Sequence, residues 1–148
     1  MTIYNLTENE FDEKTKDGIV LLDFYADWCG PCKRLNPILE KISEENKDIN
    51  IFKINVDKEN NLATKFKIRN IPLIIIYNNG QQVLSLPGLN SYEKIMSEIS
   101  SIKNMWSMHV IKTEHYEMTF PADKLAEVLE YIESLREAGI KFEHYFIE

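Results

Sequence analysis

Cysteine is scarce in this chain: two residues in 148, Cys29 and Cys32. Two cysteines do not make the disulfide framework of a small secreted domain. There is no second CxxC, and the three histidines stand at 109, 115 and 144. The second pair of ligands that a structural zinc site normally needs is therefore missing. No apolar run approaches the roughly 20 residues that span a bilayer. The opening MTIYNLTENEFDEK lacks the basic and apolar regions of a signal peptide, so the cytoplasm is the expected location. Positive charge is also short, with 17 Lys and Arg against 24 Asp and Glu. Residues 104–148 hold 4 against 9, and that acidic end is expected to take neither nucleic acid nor an anionic membrane as partner.

What remains is an ordinary globular composition, 44% hydrophobic and 28% charged, enough for one domain or one domain plus a small appendage. Both cysteines lie three positions apart in Ala26-Asp27-Trp28-Cys29-Gly30-Pro31-Cys32-Lys33. Three readings compete: half a metal site, a structural staple, or a working redox pair. A staple across so short a loop removes little entropy from the unfolded chain. With metal ligands missing as well, the redox pair is the expected reading.

The surrounding pattern alternates strands and helices. Ile19-Val20-Leu21-Leu22-Asp23-Phe24-Tyr25 reads as a strand buried on both faces. Leu35, Ile38, Leu39 and Ile42 follow at helical spacing. Strands are predicted over 50–56, 71–77 and 82–86, with a short helix at 59–66 and a tight turn at Asn78-Asn79-Gly80. Ser91 is the predicted N-cap of a helix that carries Ile95, Met96, Ile99 and Ile102 on one face. An extra strand (3–6) and helix (11–16) precede all of this. Such alternation predicts crossover connections and a mostly parallel central sheet, with the cysteines where a central strand passes into a helix.

That position suits thiol chemistry. A thiolate is the attacking species in disulfide exchange, and a helix N-terminus offers unpaired N–H groups and partial positive charge to stabilise one. Cys29 stands at that end and is expected to attack a substrate disulfide; Cys32, a turn further in, then attacks the mixed disulfide. Cys32 needs a proton acceptor. Asp23, set among Val, Leu and Phe, is either an acid at an edge or bend or a buried carboxyl poised to take that proton. Lys53 in IFKINV is either a solvated strand residue or the partner that tunes Asp23. Pro72 is either a strand-start proline or a cis-proline shaping a binding surface, and Pro37 is expected to kink the helix after the motif.

The chain resembles the thioredoxin family in these residues: DFYADWCGPCK, Pro37, FKINVD, KIRNIP, the NNG turn and Gly88, over roughly residues 1–103. The resemblance implies the thioredoxin fold, an α/β architecture with a central mixed sheet flanked by helices. It implies that Cys29 is the nucleophile and Cys32 the resolving cysteine. Asp23 and Lys53 are then the buried acid and its partner. Trp28 is the exposed aromatic beside the site, and Gly30-Pro31 the dipeptide that keeps the potential reducing. Ile71 precedes a cis-Pro72 that aligns substrate backbone, and Gly88 belongs to the substrate groove. No cofactor beyond the Cys29–Cys32 disulfide is implied. The implied partners are disulfide-containing proteins and a thioredoxin reductase that supplies electrons. Tyr25 for a frequent Trp is a mild departure; Asn70 for Gly and Leu73 for Thr flank the groove and bear on substrate range rather than chemistry.

Residues 104–148 extend beyond this resemblance. Residues 105–120 are predicted as strand, with Trp106, Met108 and Val110 and then Tyr116, Met118 and Phe120 on one face, broken at Lys112-Thr113-Glu114. Pro121 suits a helix first turn, Leu125, Val128, Leu129, Ile132 and Leu135 its apolar face, Gly139 its end, and 140–147 a last strand, giving ββαβ or βαβ. About 45 residues without a staple rarely fold alone. The extension is therefore expected to pack on the preceding domain, pair with a sheet edge, or form a homodimer. Its apolar stripe is more often core than ligand groove, and metal binding through His109, His115 and His144 is the remaining alternative.

The reading is a cytoplasmic thiol–disulfide oxidoreductase that reduces protein disulfides. The alternative is a thioredoxin-fold scaffold whose extension recognises a dedicated partner. An oxidase or isomerase is disfavoured by CGPC and the missing export signal.

Overall fold

The computed structural model describes residues 3–106, 108–115, 117–121 and 124–147. Backbone contacts divide the chain into two compact units, one up to Met96 and one from Ser97 onward.

The first unit is built on a five-stranded sheet in the order β1-β3-β2-β4-β5. The strands are β1 (Tyr4–Asn5), β2 (Ile19–Tyr25), β3 (Ile49–Asn55), β4 (Leu73–Asn78) and β5 (Gln81–Pro87). β1, β3 and β2 run parallel, while β4 and β5 are antiparallel, so the sheet is mixed. The apolar run on β2 has its cause here. It is the central strand, paired over its whole length with β3, and its first six residues are buried in the sequence I-V-L-L-D-F.

Alternation along the strands sends side chains to two faces. Val20, Leu22 and Phe24 join Phe52, Ile54 and Ile75 in one cluster, closed by Leu6, Phe11 from α1 (Phe11–Thr15) and Leu62 from α3 (Asn60–Lys65). Phe66 stacks into it at 5.3 Å from Phe24 and 5.5 Å from Phe11. Asp23 and Lys53, one residue out of phase, belong to the opposite face, the side of α2 (Gly30–Glu45). The start of α4 (Tyr92–Trp106) lies beside α2, where Lys41 stands 4.1 Å over the Tyr92 ring. Ser91 caps α4 by accepting the Lys94 amide at 3.1 Å. Between β4 and β5, Asn79 and Gly80 both take positive φ, 49° and 82°, as a tight primed turn requires. Pro37 lies inside α2.

The second unit has a three-stranded antiparallel sheet, β7-β6-β8, from β6 (Met108–Thr113), β7 (Glu117–Pro121) and β8 (Phe142–Ile147), with α5 (Leu125–Glu137) after β7. The order is ββαβ. Two expectations need correction. Met105 and Trp106 end α4 rather than open a strand, because they continue the three-and-four spacing of Ile95, Ile99 and Ile102. Pro121 is the last residue of β7, an edge strand that tolerates proline, and α5 begins at Leu125. The expected face of α5 is also narrower: Val128, Ile132 and Leu135 are buried with Ile111, whereas Leu125 and Leu129 are 51% and 55% exposed. The side chains of Met108 and Tyr116, expected on the strand face, lie outside the described residues.

Candidate active site

Cys29 is the N-cap of α2, with extended backbone, and Pro31 sits in the first turn. Its Sγ accepts the backbone N–H of Cys32 at 3.2 Å. This is the orphan-donor arrangement that favours a thiolate at a helix start. The two sulfurs are joined in a disulfide, and both residues are buried, at 4% and 2% exposure. Ala26 completes their small cluster, and Tyr25, Val56 and Ile71 pack against it. Gly30 and Pro31 are exposed at the surface of the turn.

Ile71 brings the β4 side to the cysteines. The Ile71–Pro72 peptide bond is cis. Pro72 is buried, and its carbonyl accepts the N–H of Gly88 at 2.9 Å. Gly88 has φ +80°, a left-handed conformation that disfavours other residues although a Cβ would meet nothing within 4 Å. The preference for glycine here is thus a matter of backbone, not space. Leu89, next in the chain, is 42% exposed.

Trp28 is 71% exposed, yet it is not loose: its indole N–H donates to Asp57 Oδ2 at 2.9 Å. Asp57 in turn is held through its own N–H by Asn55 Oδ1 at 3.0 Å.

Behind the cysteines lies the acid. Asp23 is fully buried and stands in register with Lys53 on β3 and Ile74 on β4. Lys53 Nζ is 3.6 Å from Asp23 Oδ2, an ion pair without a hydrogen bond, and both carboxylate oxygens lack a hydrogen-bond partner. Burial pushes the Asp23 carboxyl up to about 6, against the opposing pull of the Lys53 charge. Lys53 is half-buried rather than solvated, lies 4.4 Å from the centre of the Tyr25 ring, and donates its hydrogen bond to Asn36 Oδ1. A cavity of about 150 Å³ opens here, lined among others by Cys32, Asn36, Lys53 and Tyr25. A wider open hollow of about 700 Å³ beside Tyr4, Glu10, Lys14 and Asn50 holds none of these residues.

The ten residues singled out in the sequence therefore gather in one region, on the β2–α2 junction and the strands beside it. Three participants were not singled out: Asn36, Asp57 and Asn55. Asn36 lies four residues after Cys32, hence on the same helix face, which is the signal that marks it. Among the described residues, no group of three or more His, Cys, Asp or Glu side chains is placed to hold a metal ion. The side chain of His109 lies outside the described residues. Among the described residues no helix is long and apolar enough to cross a membrane.

A buried carboxyl on the strand that leads into a disulfide at a helix start, with a cis-proline next to the Ile71 that packs on the cysteines, is an arrangement for thiol–disulfide exchange. The family model for thioredoxin matches residues 2–101. A thioredoxin of Staphylococcus saprophyticus is 35% identical over 100 residues, which cover 67% of this chain and 96% of that one. A thioredoxin of Chlamydia pneumoniae is 36% identical over 95 residues, 64% of this chain and 93% of that one. Among solved structures, a mutant thioredoxin from Halobacterium salinarum shares 35% identity at a TM-score of 0.62, over 67% of this chain and 88% of that one. The chain belongs to the thioredoxin family of thiol–disulfide oxidoreductases.

Proposed function

We propose that the chain reduces disulfides of protein substrates in the cytoplasm, with Cys29 as nucleophile and Cys32 as resolving thiol. In the dithiol form, Cys29 thiolate attacks one sulfur of the substrate disulfide. A mixed disulfide forms and one substrate thiolate leaves. Cys32 then gives its proton to Asp23, through the cavity it shares with Lys53, and attacks Cys29 Sγ. The Cys29–Cys32 bond closes, the second substrate thiolate leaves, and two electrons have passed to the substrate. A thioredoxin reductase restores the dithiol with two electrons and two protons. Trp28, Gly30, Pro31, Ile71, Pro72 and Gly88 form the surface on which substrate backbone lies. Residues 1–103 act as the redox domain and 104–148 as an appended one.

The observation that carries this reading is the disulfide at the N-cap of α2, whose Cys32 lines one cavity with Lys53, the ion-pair partner of the buried Asp23. The test uses the full chain with NADPH, a thioredoxin reductase and insulin as disulfide substrate. Steady NADPH oxidation that vanishes in Cys29→Ser supports the reading. No turnover, together with an inability of the chemically reduced chain to cleave insulin disulfides, overturns it.

A second reading rests on the exposed Leu125 and Leu129 on α5: the extension binds a dedicated partner or a second copy, with the redox domain as scaffold. Replacing both cysteines by serine separates the two, since a scaffold keeps its binding and a reductase loses its activity.

A further inference from the structure

Lys53 is placed to neutralise Asp23, yet it does not hydrogen-bond to it. The two are register partners on parallel strands, and the ammonium stops 3.6 Å from Oδ2. Its hydrogen bond goes instead to Asn36 Oδ1, on α2 one turn beyond Cys32. The Tyr25 ring covers another side at 4.4 Å. Asp23, at zero exposure, is left with two oxygens that accept no hydrogen bond. A buried carboxylate in that state is costly and would normally be paired. Here the paired ammonium gives its hydrogen bond to an amide instead. A charge-assisted hydrogen bond from the ammonium would favour ionised Asp23 and weaken it as a base.

We propose that Asn36 is a positioning residue: its side-chain oxygen holds the Lys53 ammonium on the cavity side, short of hydrogen bonding to Asp23, and so keeps the carboxylate free to take the Cys32 proton. This rests on the assignment of Cys32 as the resolving thiol. The other titratable or charged groups around the cavity are Tyr25 and Asp27 from the β2–α2 segment and Cys32 and Lys33 from α2. β4 sets the uncharged Ile74 opposite Asp23. Lys53 is thus the cation in register with the acid, and Asn36 is the group that sets its reach.

The experiment follows the Asp23 carboxyl itself, by carbon-13 NMR of the full oxidised chain across pH 4 to 9, in four proteins: unchanged, Asn36→Ala, Lys53→Met and the double variant. Asn36→Ala releases the ammonium to the carboxylate and moves the Asp23 midpoint down by roughly one pH unit. The acid limb of the insulin-reduction profile moves the same way, and the rate on the plateau falls about threefold as the base weakens. In the Lys53→Met background, Asn36→Ala moves nothing further, because Asn36 acts through Lys53. Asn36→Leu, close in volume, gives the same midpoint shift and carries the test if the alanine variant does not fold. An unmoved midpoint in a folded Asn36 variant overturns the proposal. So does an equal shift with Lys53 absent. The NMR midpoint is independent of turnover, so a chain that shows the shift but reduces no disulfide overturns the functional reading and leaves the Asn36 arrangement standing.

Discussion

Asp23 and Lys53 lie directly opposite each other on adjacent parallel strands, with Nζ 3.6 Å from Oδ2 and neither carboxylate oxygen hydrogen-bonded. Burial outweighs the lysine and lifts the Asp23 carboxyl from 3.8 to about 6. The folded chain therefore binds this proton more tightly than the unfolded chain does. Stability contributed by Asp23 is present below pH 4 and is lost as pH rises through about 6. At about 1.4 kcal/mol per tenfold change in affinity, the loss is about 3 kcal/mol. Urea unfolding of the unchanged chain and of Asp23→Leu at pH 4 and pH 7 checks this. The gap between the two should move by about that amount in favour of the variant at pH 7; a gap that stays constant contradicts the assignment.

In the proposed mechanism the cysteines divide the work. Cys32→Ser should leave the first attack intact and accumulate a mixed disulfide between Cys29 and substrate, visible as an adduct by mass spectrometry. Cys29→Ser removes the proposed nucleophile, and insulin reduction should fall roughly a thousandfold. Adducts on Cys32 instead of Cys29 would reverse the roles.

Trp28 is the most exposed large apolar side chain described and is tethered by one hydrogen bond to Asp57. Asp57→Ala frees the ring. A lost hydrogen bond of about 1 kcal/mol corresponds to about a fivefold rise in KM for a protein substrate. The rate with a small disulfide reagent, which does not need the ring, should hold steady. Equal losses on both substrates would place Asp57 in the chemistry instead.

In the second unit, Ile132 is buried against Ile111 and Leu129 on the same helix is exposed. Ile132→Ala should cost about 2–4 kcal/mol and Leu129→Ala less than about 0.5 kcal/mol. Chemical denaturation of each variant decides. A large loss at Leu129 would show that its face is covered in solution, as a second copy of the chain would do.

The sheet and its helices were legible because their patterns have one physical meaning each. A run such as Ile19 to Phe24 is consistent with a strand paired on both sides, and Asn78-Asn79-Gly80 suits positive φ. Cys29 and Cys32 were legible because two thiols three residues apart at a strand–helix junction have few other uses. Lys53 was not, since strand alternation leaves its partner open; only the register opposite Asp23 closes the question. Asn36 and Asp57 were missed because an amide on a helix or an acid after a strand is ordinary until its neighbour across the fold is known. The opening of the extension was misread where an apolar run fitted both periods: Met105 and Trp106 continue a helix as well as they start a strand.

β2 is paired with β3 along all seven residues and with β4 along six, and the reacting sulfurs begin four residues after its end. A strand fixed on both sides is among the last parts of a fold to open. Each cycle makes and breaks one S–S bond on a mount that has little room to relax. The redox disulfide is thus carried on the most firmly held strand of its sheet.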